Sequence, residues 1–370
     1  MPLVCPMTFE RVPITTSIPA PEQAELEAFL GQFVGDLGAA LAGANVVLGD
    51  RLGLYSALAE RQPARAAEVA VATGTDERYV TEWLRGQAAG GYVSYDASSD
   101  TYALNPAQAA CLADPASPTY VPGAFQIAAS LYKDVERVEA AFRSGEGVGW
   151  HEHHHDLFDG TERFFRPGYA ANLVGAWLPA LDGVEAKLLS GATVADVGCG
   201  HGASTLIMAE AYPRSTFVGF DYHEASIHRA RSAAAAAGLG DTVRFEVAGA
   251  GDFPGTGYDL VAMFDCLHDM GDPAGAARHI LQSLDADGTW LIVEPAAGDE
   301  VEDNLNPIGR VFYSASTMIC VPASRAQEGG ACLGAQAGAA LIESTVRKGG
   351  FTRFRTATTT PFNLVLEARP

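Results

Sequence analysis

From Gly191 onward, short apolar runs alternate with stretches of helical period, an order that few architectures accept. Residues 193–197, 216–220, 242–247, 259–264 and 289–293 read as strands, and 204–212, 225–237 and 274–284 as the helices between them. A strand, a helix and a second strand repeated in this way wind with one hand. The pattern therefore predicts an α/β fold with a Rossmann-like, doubly wound parallel sheet. Two last strands, near 352–357 and 362–368, would close its edge, and no internal repeat is visible.

A chain of 370 residues exceeds the size at which one core stops growing, so a second unit is expected before this sheet. Leu26, Phe29, Leu30, Phe33, Val34, Leu37 and Leu41 recur at helical spacing, and Val46, Leu48, Leu52, Leu54 and Leu58 continue the period. Two amphipathic helices follow from this. Next come a short helix at 66–71, a break at Thr73-Gly74-Thr75, a helix at 76–90 and a hairpin around 96–100, which together predict a mainly helical winged-helix domain. The expected division is a flexible leader at 1–20, a helical and winged-helix dimerisation domain at 21–115, a helical connector and lid at 116–180, and the sheet domain at 181–370.

A winged helix invites a DNA-binding reading, and charge argues against it. Lys and Arg number 24 against 45 Asp and Glu, a net charge of -21, and no lysine precedes Lys133. Phosphate backbones and anionic lipids would be repelled. The cysteines at 5, 111, 199, 266, 320 and 332 form no C-x-x-C pair, which fits a reduced cytoplasmic setting. The start of the chain has neither a basic cluster nor a continuous apolar run, so no secretory leader is expected. No apolar stretch of about 18 residues free of charge suggests a membrane span.

The candidate chemistry begins at Val194-Ala-Asp196-Val-Gly198-Cys199-Gly200-His-Gly202, a strand running into a glycine-rich turn that opens a helix. Glycines let the backbone approach a ligand and leave the helix start facing it. Asp196 at the foot of the turn would repel a pyrophosphate, yet it suits an ammonium and a sulfonium. Asp221, with Tyr222 after it, follows the next strand where an acid accepts from ribose hydroxyls. Gly251-Asp252-Phe253 follows the third strand, where an acid could receive an adenine amino group and a ring could stack on the base. The bland alternatives are a turn cap for Asp196 or Asp252 and a solvated strand end for Asp221.

In this order, and with Phe264-Asp265 and Gly288-Thr-Trp-Leu-Ile-Val-Glu294 behind them, these pieces resemble the class I S-adenosylmethionine-dependent methyltransferases across about half of the chain. The stretch Leu267-His268-Asp269 is similar to the His-Asp motif of plant-type small-molecule O-methyltransferases, which also carry an N-terminal winged-helix dimerisation domain. The resemblance implies S-adenosylmethionine as cofactor, a small-molecule acceptor, a homodimer, His268 as general base and Glu294 as the residue that orients it. Histidine titrates near neutrality and can take the acceptor's proton, with Asp269 or Glu294 fixing its tautomer; otherwise it is a structural histidine closing the loop. The likeness fails at Met270 and from Asn304 to Ala340, so N- or C-methylation stays open. A winged-helix regulator sensing the same cofactor and a nicotinamide-dependent dehydrogenase are the readings from other classes.

Tyr169 and Asn172, with Phe164 and Phe165, lie on a helix expected to cover the cofactor. Trp150, Phe312, Tyr313 and Met318 are candidate acceptor contacts, with a core role for Phe312, Tyr313 and Met318 as the alternative. His151-Glu152-His153-His154-His155 satisfies H-E-x-x-H, but Gly145, Gly147 and Gly149 before it oppose the helix that a zinc site requires, and no metal is expected.

Overall fold

The computed structural model describes residues 20–240 and 242–370. The expected leader, with Cys5, lies outside the described residues except for Ala20. Helix α1 (Ala20–Arg51) runs for 32 residues and ends where Gly53 takes a left-handed φ of 68° to start α2 (Leu54–Arg61). Helix α3 (Ala66–Thr73) stops at Gly74, also left-handed, and Asp76 begins α4 (Glu77–Ala89) by accepting the N–H groups of Arg78 and Tyr79. Strands β1 (Ser94–Asp96) and β2 (Thr101–Ala103) form the antiparallel wing, and α5 (Pro106–Leu112) follows. Val46, Leu58, Val69, Leu84 and Tyr102 fill one core beneath these elements, so the winged-helix pattern has its own hydrophobic centre.

Helices α6 (Pro122–Lys133), α7 (Val135–Ser144), α8 (Asp156–Asn172) and α9 (Val184–Ser190) lead to the sheet. The start of α8 is pinned by Asp156, whose carboxylate receives Lys133 at 2.7 Å, Arg51 at 2.8 Å and the Gln126 amide at 3.0 Å. Those charges hold its carboxyl down at about 2, against the opposing effect of burial. Thus α8 is tied to α1 and α6 while its other face remains available to the sheet.

The sheet is built from β3 (Thr193–Val197), β4 (Thr216–Asp221), β5 (Val243–Val247), β6 (Tyr258–Phe264), β7 (Leu284–Pro295), β8 (Arg353–Thr359) and β9 (Asn363–Arg369). Its helices are α10 (Ala203–Ala211), α11 (Glu224–Ala236), α12 (Pro273–Ser283), α13 (Pro307–Met318), α14 (Cys320–Arg325) and α15 (Gly338–Lys348). Strand order is β5-β4-β3-β6-β7-β9-β8, and β3 to β7 pair in parallel. The sheet is nevertheless mixed rather than wholly parallel. A short turn joins β8 to β9, which forces an antiparallel pair, and β9 inserts beside β7. The winding reverses between β3 and β6, and their carboxyl ends carry Gly198 and Asp265, the crevice where such sheets bind ligands.

One face of α1 remains uncovered: Phe29, Val34 and Leu41 are 65%, 63% and 66% exposed. By length and composition alone α1 is also apolar enough to cross a bilayer, with Asp36 its one charge between Glu27 and Asp50. That aspartate pairs with Arg310 of α13 at 2.9 Å.

Candidate active site

Strand β3 ends in a turn whose Gly198, Gly200 and Gly202 have φ of 78°, 53° and 84°. The N–H groups of Gly198 and Cys199 donate to Phe220 O at 2.8 and 3.0 Å, tying the turn to β4. A Cβ on Gly198 would stand 2.6 Å from Cys266 Sγ, and one on Gly202 2.6 Å from Phe245, whereas one on Gly200 would meet nothing within 4 Å. Two glycines therefore serve packing, and the third leaves open space.

That space is a cavity of about 370 Å³. Its floor is Gly198, Cys199 and Gly200; Asp221 and Tyr222 stand on one side, and Ala248, Gly249 and Ala250 on another. Asp221 is anchored by two backbone donors, Gly200 N–H at 2.9 Å and His223 N–H at 2.8 Å, while burial raises its pKa. Helix α8 forms the roof with Phe158, Thr161, Glu162, Phe165 and Tyr169. These positions repeat at three and four residues along one helix face, a signal present in the sequence and only partly read there.

Asp196 is buried behind the floor and is absent from the cavity wall. Its Oδ2 receives the Ser204 and Thr205 hydroxyls, both at 2.6 Å, its Oδ1 has no partner, and burial pushes its pKa up to about 6. Asp265 does line the cavity, at a left-handed φ of 51°, and receives the Tyr169 hydroxyl at 2.8 Å and the Asn363 amide at 3.2 Å. Burial, with Glu294 nearby, pushes its carboxyl up to about 7.

Several expected contacts lie elsewhere. Phe253 is 1% exposed and packs against Phe220 and His279 in the core, so its ring is not available to a base. Asp252 accepts Gly249 N–H at 2.9 Å to close its own loop, and neither it nor Gly251 reaches the wall. Asn172 donates to Gly168 O at 2.8 Å within its helix. Phe312 and Met318 pack in a separate cluster with Leu157, Ile319 and Cys320, and Tyr313 is partly exposed; the apolar face of α13 turns toward α8 rather than into the cavity. Trp150 is the one acceptor candidate in the wall.

At the far end of the cavity stand Trp150, Asp269, Met270 and Gln327. His268 is 4% exposed and sits just behind the wall. Its Nδ1 bonds Glu294 Oε2, and its Nε2 is 3.1 Å from Asp269 Oδ1, close enough for charge pairing but out of line for a hydrogen bond. Glu294 Oε1 also accepts Leu267 N–H at 2.9 Å, and Trp150 Nε1–H donates to Asp269 Oδ2 at 3.2 Å. Burial alone would lower the His268 pKa, but the Asp269 and Glu294 carboxylates outweigh it and hold it well above the usual imidazole value. Asp269 is held low by His268 despite its own burial. The three groups thus form one buried chain of charge.

The histidine-rich loop is a tight turn at Trp150–Glu152, with His155 immediately before α8, so His151 and His155 share no helix face. His153 is instead a buried partner of Asp134 at 2.9 Å. Donor atoms of His154, His155 and Asp156, and of His268, Asp269 and Cys320, lie within 4.8 Å of one another. Asp156 is already engaged by Lys133 and Arg51, and both His268 nitrogens already face carboxylates, Nδ1 Glu294 and Nε2 Asp269.

Comparison with known proteins agrees with this geometry. Residues 188–339 match the family described as a methyltransferase domain, and residues 39–114 match an Rv2258c-like winged HTH domain. The sheet half of the chain is thus a methyltransferase domain, preceded by a winged-helix one. Mitomycin biosynthesis 6-O-methyltransferase of Streptomyces lavendulae is 28% identical to this methyltransferase over 252 residues, covering 64% of this chain and 69% of the relative. A structure described as a putative O-methyltransferase from Nostoc punctiforme superposes with a TM-score of 0.69 at 19% identity, covering 91% and 98% of the two chains. Human N-acetylserotonin methyltransferase, solved with S-adenosylmethionine, gives 0.65 at 17% identity, covering 93% and 97%. At those identities the two structures establish the shared fold of this methyltransferase. Its own residues fit the cofactor: a backbone floor open above Gly200, a buried carboxylate at the end of β4, and a second acid, Asp265, on the cavity wall.

Proposed function

We propose that this methyltransferase acts on a hydroxyl group of a small organic acceptor and that the Glu294, His268 and Asp269 chain takes the acceptor's proton. The observation that carries this reading is the buried imidazole between two carboxylates at the wall of the same cavity that the glycine turn floors. S-adenosylmethionine, when bound, supplies a methyl group on a cationic sulfur. Gly198, Cys199 and Gly200 would shape its floor, Asp221 and Tyr222 would receive its ribose side, and Asp265, steadied by Tyr169, would face its charged end. Asp196 would add negative charge from below through Ser204 and Thr205.

The Asp269 and Glu294 carboxylates favour the imidazolium, so His268 in its neutral form takes the acceptor's proton and the two acids stabilise the charge that forms. Such a group contributes about 10²- to 10⁴-fold in rate. Glu294 and Trp150 act as positioning residues, the first on His268 and the second on Asp269. The relatives described as O-methyltransferases favour oxygen as the methylated atom.

The uncovered face of α1 supports pairing of two copies in a homodimer, and the uncombined thiols of Cys111, Cys199, Cys266, Cys320 and Cys332 suit a reducing cytoplasm. The four-part division at residues 20, 115 and 180 belongs to the same reading. The test is a methyl-transfer screen with labelled cofactor against phenols, amines and carboxylic acids, together with calorimetric titration of S-adenosylhomocysteine. Parent protein and His268→Ala should bind the product alike, while the variant loses turnover. Turnover undiminished in His268→Ala would remove the proton-acceptor role.

A further inference from the structure

The acceptor end of the cavity has an unusual charge inventory. Its apolar surfaces are Trp150, Phe158 and Met270, and the Trp150 and Phe158 rings lie 5.7 Å apart. Among the described residues, the whole cavity is lined by the carboxylates of Glu162, Asp221, Asp265 and Asp269, and by no lysine or arginine. The nearest arginines are spent outside it: Arg229 pairs with Asp159, and Arg166 lies 3.5 Å from Glu162 on the exposed side of α8. His201, also in the wall, is held down at about 4 by burial and by Arg229, so it adds no positive charge.

The donors at this end are engaged as well. Trp150 Nε1–H is given to Asp269, the Gln327 amide to Asp269 O at 2.9 Å and Ala323 O at 3.0 Å, and the Thr161 hydroxyl to Leu157 O at 2.7 Å. Against these stands the carboxylate of Asp269, whose Oδ2 receives Trp150 and whose Oδ1 is buried 3.1 Å from His268 Nε2. An ionised carboxylate accepts several hydrogen bonds, so Asp269 can receive a ligand donor as well. A carboxylate brought to the same place would meet the like charge of Asp269, with the Trp150, Gln327 and Thr161 donors already given elsewhere.

We propose that the acceptor carries no negative charge: it is a neutral or cationic molecule that presents a hydroxyl or ammonium donor to the Asp269 carboxylate, and the pocket excludes carboxylated acceptors. The inference rests on the methyltransferase reading and narrows its substrate class. Like charges brought together in such a site repel one another with little solvent screening. The discrimination should therefore be at least about tenfold in affinity.

The experiment is calorimetric titration of the S-adenosylhomocysteine-loaded protein with matched pairs, a hydroxybenzoic and a hydroxynaphthoic acid each against its methyl ester, followed by methyl transfer to whichever binds. The expected result is tighter binding of the esters by at least about tenfold. In Asp269→Asn and Glu162→Gln the preference for ester over acid should shrink while S-adenosylhomocysteine still binds. Acids that bind as tightly as their esters, a preference unmoved by both variants, or no binding of either pair to loaded protein would each overturn the proposal. Failure of S-adenosylhomocysteine itself to bind would instead sink the cofactor assignment on which it rests.

Discussion

Alanine at Gly200 and alanine at Gly198 should separate ligand binding from folding, although the two positions are two residues apart. Both backbones are left-handed, with φ of 53° and 78°, and an L-residue pays about 1–2 kcal/mol there. At Gly200 nothing further is added, because the new methyl meets no atom within 4 Å. The melting temperature should fall by about 2–8 °C, taking roughly 2–4 °C per kcal/mol for a domain of this size. That methyl nevertheless occupies the floor of the cavity, so S-adenosylhomocysteine should bind at least about tenfold more weakly. At Gly198 the methyl would stand 2.6 Å from Cys266 Sγ and 3.2 Å from its Cβ, which adds an overpacking cost of about 1–3 kcal/mol. That variant should lose about 2–5 kcal/mol in all and yield less folded protein. Thermal melting and calorimetry on both variants make the comparison. If Gly200→Ala bound the product within about twofold of the parent, the cavity above that residue would not be the cofactor site.

Asp265 and Asp196 have folded pKa values of about 7 and about 6, above the ordinary 3.8, because burial disfavours their anions. The folded state therefore binds more protons than the unfolded chain between those values. Their contribution to stability is fully present below pH about 4 and is lost as pH rises through 6 to 7. A cation in the cavity relieves that loss, so S-adenosylmethionine should raise the melting temperature more at pH 8 than at pH 5.5. Equal shifts at both pH values would contradict it. On α1, Phe33→Glu with Val34→Lys should convert a dimer to a monomer in sedimentation equilibrium without lowering the melting temperature of the winged-helix core, since both side chains are half or more exposed. A parent that sediments as a monomer would refute the pairing role.

The sheet was legible because its signals are local. Each strand from β3 to β7 is an apolar run between turn residues, and Asp272-Pro273 and Asn306-Pro307 mark helix starts by capping chemistry that needs no distant partner. The winged helix was legible for the same reason, through Gly74 and Asp76. Phe253, Phe312 and Met318 were less so, since an aromatic or apolar residue after a strand or in an insertion serves a pocket or a core equally well by period. Only packing against Phe220 in one case and Leu157 in the other decides it. Asp196 and Asp265 show the same limit for charge. Both are acids at strand ends, and what separates them is that Ser204 and Thr205 close over the first while the second faces the cavity.

The order of His268 and Asp269 has a structural cause that their spacing conceals. Residues 267–269 form a single tight turn with three residues per turn, so successive side chains diverge by about 120° and two neighbours cannot face one cavity together. Glu294 decides which one turns inward. Its strand β7 lies beside β6 in the sheet, and its two oxygens grip successive positions of the turn, Leu267 N–H and His268 Nδ1. With both bonds made, the imidazole is fixed beneath the wall and Asp269 is the residue left at its surface, where Trp150 holds one oxygen and the other lies 3.1 Å from His268 Nε2. A histidine that motif reading places at the acceptor is thus connected to it through its neighbour, and the glutamate more than twenty residues away sets that arrangement.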